Sequence, residues 1–311
     1  MTFDRANDAR VRLAAFEWLA EQVDLHGDVL PRSLLLKGFF FGDSRVSLVS
    51  PQQGIFKPAV LSHAPLSVLT SPSDPYNDQL DESGLLRYKY RGVNRNHRDN
   101  VGLRFAMTER LPLVYFHGVA PGKYVAAWPV FIVGDDERNL TFSIAVDDSQ
   151  HLGVGIATQP SAMSTGDESE LARRKYTTAV TRVRVHQRAF RERVLNAYQR
   201  QCAFCRLKHD QLLDAAHIIP DTHPEGHPVV SNGLSLCSIH HAAFDRYFIG
   251  LRPDYTIEVR KDLLTERDGP TLAHAIQGIH NKPISLPRDR NNYPASAGLM
   301  LRYEKFLNQR R

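Results

Sequence analysis

The sequence predicts an α+β protein of two domains, and three observations lead there. At 311 residues the chain is long enough to build two cores rather than one. Its hydrophobic pattern changes along the way, from a helical repeat at the start to short β-branched and aromatic runs, then back to helices near the end. All three cysteines fall within residues 202–237, so the two ends of the chain differ in chemistry as well as in pattern.

The first element is a helix. Asp8 is placed to cap it, Val11, Ala15, Trp18, Leu19 and Val23 keep a 3.6-residue period, and Gly27 ends it. From Ser33 to about Val146 the expected elements are strands, among them 45–49, 111–118, 124–133 and 140–146, separated by Gly, Pro, Asn and Asp. This mostly β domain is assigned to residues 1–150. The stretch 159–170 is polar and aperiodic, so residues 151–185 are expected to form a linker and 186–311 a second domain. There, Phe190, Val194, Leu195 and Tyr198 predict an amphipathic helix leading into Cys202. A strand at 256–259, a helix near 272–279 and a last helix at 295–307, started by Pro294, complete the expectation.

Composition excludes more than it identifies. No apolar run approaches the roughly 18 residues of a membrane span, and the N-terminus lacks a basic region followed by an apolar one. With so few cysteines, a cytoplasmic location is expected. Residues 118–124 have neither the spacing nor the Ser or Thr of a phosphate loop, so no nucleotide-triphosphate chemistry is expected. The net charge of +5 is modest, but its distribution is not even: between Arg173 and Arg200 a run of arginines meets a single acid, Glu192. Alone, such a run is a solvated helix face. Beside a polyanion-processing site, Arg182, Arg184, Arg188 and Arg191 become candidate phosphate contacts.

That site is suggested by Cys202-Ala-Phe-Cys205 and Cys237-Ser-Ile-His240-His241. Two knuckles of x2 spacing, Cys202/Cys205 and Cys237/His240, supply the thiolate and imidazole set that tetrahedral structural zinc requires. His241 in place of His240 is the alternative fourth ligand. Between the knuckles lie Asp214-Ala-Ala-His217-Ile-Ile-Pro220 and Asn232-Gly233. Together these residues resemble the HNH nucleases of the ββα-metal type. The resemblance implies that His217 is the general base, that Asn232 ties down the loop carrying it, and that His241 binds a catalytic magnesium or manganese ion. The family's usual Asp before the base is Ala216 here. Strand alternation puts Asp214 on the same face one rung earlier, as a candidate metal ligand. Asp245, four residues after His241, either orients that imidazole or simply closes the helix.

In the first domain, Tyr76-Asn-Asp-Gln-Leu-Asp81 and Tyr88-Lys-Tyr90-Arg-Gly92 resemble the base-pocket segment of SRA domains, PUA-like β barrels that hold a flipped-out modified cytosine. The resemblance implies that Asp81 recognises the cytosine edge and that Tyr90 and Tyr76, with Tyr88 nearby, stack on its faces. The alternative is that Tyr88 and Tyr90 alternate as in any half-buried strand. The combined resemblance implies a modification-dependent restriction endonuclease. It would bind double-stranded DNA containing 5-methylcytosine or 5-hydroxymethylcytosine, with a homodimer or sequential nicking making the double-strand break. Two alternatives stay open: a front domain reading another mark, such as a sulfur-substituted backbone, or only duplex shape, and a binding module made inactive by Ala216.

Overall fold

The computed structural model describes residues 2–71, 85–147 and 167–309; the side chains of 167–173, 175 and 182–184 fall outside that description. The chain divides into two compact units, Met1–Arg188 and Ala189–Arg311.

The first unit opens with helix α1 (Arg5–His26). Its cap is Asp4, whose side chain accepts from the N–H of Asn7 at 3.0 Å. Asp8, expected as the cap, is instead buried one turn in, 2.5 Å from Arg12. The Arg12 guanidinium also donates to the carbonyls of Pro65 (2.9 Å) and Pro112 (2.8 Å). A fully buried guanidinium without a counter-ion costs several kcal/mol, on the order of 3–5, so its demand on Asp8 outweighs a cap worth about 1. Gly27 ends the helix at φ 77°, a left-handed conformation that favours glycine, and its N–H donates to Val23 O.

Next come β1 (Val29–Pro31), α2 (Arg32–Lys37) and a hairpin of β2 (Phe39–Phe41) with β3 (Ser44–Val46). The main sheet adds β4 (Ile55–Phe56), β5 (Ser67–Leu69), β6 (Leu86–Lys89), β7 (Leu113–Ala120), β8 (Lys123–Asp136) and β9 (Thr141–Val146), with α3 (Arg98–Thr108) between β6 and β7. Strand order is β4-β5-β7-β8-β9-β6, with β1 also on β8; β5 and β7 run parallel and the other pairs antiparallel. Among the described residues the strand order is an open path, with the two-residue β4 and the four-residue β6 at its ends.

Every residue of β7 is buried, because the strand is covered on both faces. Leu113 and Tyr115 pack with Leu103 and Ala106 of α3, while Val114 and Phe116 pack with Phe16 and Leu19 of α1. Tyr88 and Tyr90 belong to the α3 side of this core and are 7% and 6% exposed. Tyr90 stacks on Phe142 at 4.5 Å and its hydroxyl donates to Asp135, which also holds Arg104 at 2.8 Å. The Tyr88 hydroxyl donates to Leu69 O at 3.3 Å.

Helix α4 (Asp167–Ala197) occupies the later part of the stretch expected as a linker. Thr178, Val185 and Ala189 are buried, so the apolar stripe read from Phe190 onward continues well upstream of it. Its last turns belong to the second unit, where β10 (Leu213–His217) pairs antiparallel with β11 (Gly233–Cys237), followed directly by α5 (Ser238–Asp245). A Cβ on Gly233 would lie 2.5 Å from Val194 and 2.8 Å from Phe190. The glycine therefore lets α4 pack directly against the hairpin. A second hairpin, β12 (Ile249–Leu251) with β13 (Ile257–Val259), meets the last helix in the same manner: a Cβ on Gly250 would lie 2.5 Å from Phe306.

After α6 (Lys261–Thr265), the single helix expected near 272–279 is two short helical turns, Thr271–Ile276 and Gln277–Ile279. Gly278 lies within the second of them, where its backbone freedom disfavours a longer helix. Helix α7 (Ser296–Asn308) closes the unit. Among the described residues, no helix is long and apolar enough to cross a membrane.

Candidate zinc and nuclease site

The four knuckle residues converge. Nδ1 of His240 lies 3.4 Å from the Cys202 sulfur and 3.2 Å from the Cys237 sulfur, Cys205 and Cys237 are 4.0 Å apart, and all four donor atoms lie within 4.8 Å of one another. A tetrahedron with Zn–S near 2.3 Å and Zn–N near 2.0 Å has edges of about 3.5–3.8 Å, so the set fits zinc. His240 rather than His241 is the fourth donor. Its Nε2 faces the carbonyl of Ala275 at 2.7 Å, so that nitrogen carries the proton and donates, leaving Nδ1 for the sulfurs. Burial pushes the His240 pKa down, but the sulfurs of Cys202 and Cys237, with Ala275 O, pull it up to about 10. The Cys237 thiol is held far below its ordinary value by hydrogen bonds from Cys202 and Cys205, while contacts with Cys202 and Cys237 push the Cys205 thiol up.

His217 ends β10, opposite Gly233 in the register. Its ring stacks on Phe190 of α4, centroids 4.2 Å apart and 18° from parallel, which orients the imidazole. Asn232 holds the chain beyond it. Its side-chain oxygen accepts from Ile219 N at 2.8 Å, and its amide donates to the carbonyls of Ile219 and His227, both at 3.0 Å. Replacing Asn232 with alanine leaves the buried N–H and C=O of Ile219 without these partners, while His227 O keeps its bond from Val229 N–H, and is expected to destabilise the second unit by about 1–3 kcal/mol. Urea unfolding monitored by circular dichroism measures it, and an unchanged midpoint would contradict this role.

His241 is in the first turn of α5. Its Nδ1 is 3.6 Å from Asp214 Oδ2 and its Nε2 is 3.2 Å from Asp245 Oδ2, so a carboxylate stands at each ring nitrogen. The hydrogen bond to Asp245 raises the His241 pKa against burial, with both carboxylates helping. Asp245 is pushed up by burial, but its bond to His241 and the charges of His241 and Arg302 hold it below its ordinary value. A ring with a carboxylate at each nitrogen offers oxygen and imidazole donors to a hard divalent cation. His217 behaves oppositely: burial pushes it down, outweighing the pull of Asp221, Asp245 and Asp214, so it is neutral near pH 7.

The HNH endonuclease family is matched by residues 202–252, the span containing both knuckles, His217, Asn232 and His241. These residues form an HNH endonuclease domain. No curated protein matches the chain. Among solved structures, the chain is similar to a modification-dependent TagI restriction endonuclease, with 15% identity, 92% of this chain and 89% of that one covered, and a TM-score of 0.29. It is also similar to the type IV phosphorothioation-dependent restriction endonuclease ScoMcrA, with 13% identity, a TM-score of 0.20 and 78% of this chain covered, spanning 57% of that one.

Two of the arginines expected to meet phosphate, Arg188 and Arg191, have partners within the protein. Arg188 pairs with Asp28 at 2.7 Å. Arg191 donates to the carbonyls of Asp210 (2.9 Å) and Leu213 (2.7 Å) and stands 3.5 Å from Asp214. It therefore braces the start of β10 and backs the carboxylate beside His241. The side chains of Arg182 and Arg184, and residues Tyr76 and Asp81, lie outside the described residues. Phe190 against His217 and Arg302 against Asp245 were not singled out in the sequence. Their signals were an aromatic on the α4 stripe and a charge on the apolar stripe Leu299, Arg302, Phe306 of α7.

Proposed function

We propose that this chain is a modification-dependent restriction endonuclease that hydrolyses double-stranded DNA at the HNH site and senses modified cytosine with its first unit. The observation that carries the nuclease reading is the pair of carboxylates on opposite nitrogens of His241, in the same unit as a neutral His217. His217 takes the proton from the attacking water. His241 and Asp214 hold magnesium or manganese, and Asp245 orients the His241 ring. The cation, when bound, stabilises charge on the scissile phosphate and the leaving oxygen. Asp214 in reach of His241 supplies the carboxylate that Ala216 lacks, which argues against an inactive binding module. Arg182 and Arg184 remain the candidate phosphate contacts, and a homodimer would cut both strands.

The modified-cytosine reading rests on the resemblance at residues 76–92 and narrows to Tyr76 and Asp81, since the Tyr88 and Tyr90 rings pack in the core. That burial favours a second reading, in which the first unit recognises another mark such as a sulfur-substituted backbone. Otherwise identical duplexes containing cytosine, 5-methylcytosine, 5-hydroxymethylcytosine or phosphorothioate, incubated with magnesium or manganese, separate the two. Cutting confined to the modified cytosines, with discrimination erased by Asp81→Ala, supports the first reading. Cutting confined to phosphorothioate supports the second, and equal cutting of all four discards both sensors.

A further inference from the structure

Arg302 lies on α7, outside the span matched to the HNH family, yet it joins the two halves of the site. It is 7% exposed. Nη1 donates to the carbonyls of Ile218 (3.1 Å) and His217 (3.4 Å), at the end of the strand that carries the base. Nη2 donates to Phe244 O (2.8 Å) and stands 3.5 Å from Asp245 Oδ1, on the helix that carries His241. The guanidinium lies over the Phe244 ring, 3.8 Å from its centroid. A planar, rigid fork bonded to both elements sets their spacing more closely than a flexible ammonium does. A buried guanidinium also needs a counter-charge, and Asp245 is the carboxylate that supplies it.

We infer that Arg302 is a positioning residue of the nuclease site: it fixes Asp245, and through it the His241 ring, in register with His217, and so sets the affinity for the divalent cation. This rests on the nuclease reading of His217 and His241. An arginine that merely staples α7 to the hairpin would make the same carbonyl bonds, so the test needs a readout that stapling does not move.

Manganese binding to the full-length, zinc-loaded chain, followed by electron paramagnetic resonance, gives that readout for the wild type, Arg302→Lys and Arg302→Met. The expected result is a manganese dissociation constant raised about 10- to 100-fold, with kcat lowered in the same range and the KM for DNA unchanged. Should Arg302→Met fail to fold, Asp245→Asn carries the comparison. It is expected to weaken manganese as much, and adding Arg302→Lys to it is expected to weaken binding no further, because both act through one contact. Unchanged manganese affinity in folded Arg302→Lys, or fully additive losses in the double variant, would overturn the inference. A wild-type chain that binds manganese but cuts nothing defeats the nuclease reading and leaves the Arg302 comparison readable. A wild-type chain that binds no manganese defeats both.

Discussion

Replacing His217 with alanine is expected to lower the rate of strand cleavage by about 10²- to 10⁴-fold, the contribution of a positioned general base. Three features argue for an effect of that size. The ring is held flat against Phe190. The chain beyond it is pinned by the three side-chain hydrogen bonds of Asn232. Burial keeps the imidazole neutral, so it accepts a proton without first having to lose one. Fold and zinc content should survive, because His217 contributes no bond to the knuckles and its backbone pairing with Gly233 does not depend on the ring. Single-turnover cleavage of a labelled duplex, with unfolding curves of both proteins, measures the effect; residual cutting within a factor of a few of wild type would remove His217 as the base. The pH dependence has a defined sign. A base must be unprotonated, and His217 lies below its ordinary value near 6.5, so the acid limb of the rate profile should fall on the acid side of that value.

Cys202→Ser is expected to have the largest structural effect. The serine hydroxyl is a poor replacement for a thiolate, and the loss of one ligand of four opens the site. Structural zinc sites of this kind contribute apparent binding energies of about 10–16 kcal/mol to folding. Here the knuckles tie the loop after α4 to the junction of β11 and α5, where Cys237 ends the strand and His240 sits in the first turn of the helix. Losing that tie releases the β10–β11 hairpin and the helix carrying His241 together. Bound zinc measured by mass spectrometry should fall from about one ion per chain to none, and cooperative unfolding of the second unit should move to much lower temperature. Prolonged chelation of the wild type should reproduce both. A zinc-replete variant with an unchanged melting temperature would sink the assignment.

Much of the site was legible because its information is local. Two x2 spacings fix the geometry of a knuckle within one turn of chain, so the cysteines and His240 announced their convergence before any fold was known. The repeated x2 spacing favoured His240 over His241, and the carbonyl of Ala275, a partner supplied from far along the chain, takes the His240 Nε2 and leaves its Nδ1 facing the sulfurs. The α1 helix followed from its period, yet its cap shifted from Asp8 to Asp4 once Arg12 was buried. Tyr88 and Tyr90 read equally well as a base pocket or as one face of a strand, and α3 covered that face.

The sequence by itself therefore carried the α+β class, the Cys3His set and the HNH segment, the last two held by neighbours a few residues apart. Only the tertiary structure decided where the charges go. Arg188, Arg191 and Arg302 carry nothing in their spacing that names Asp28, the carbonyls at the start of β10, or Asp245. Those pairings follow from packing: a guanidinium drawn away from water takes the acceptors that the fold brings within reach, whatever their distance in sequence, because leaving it unpaired costs more than any local preference supplies.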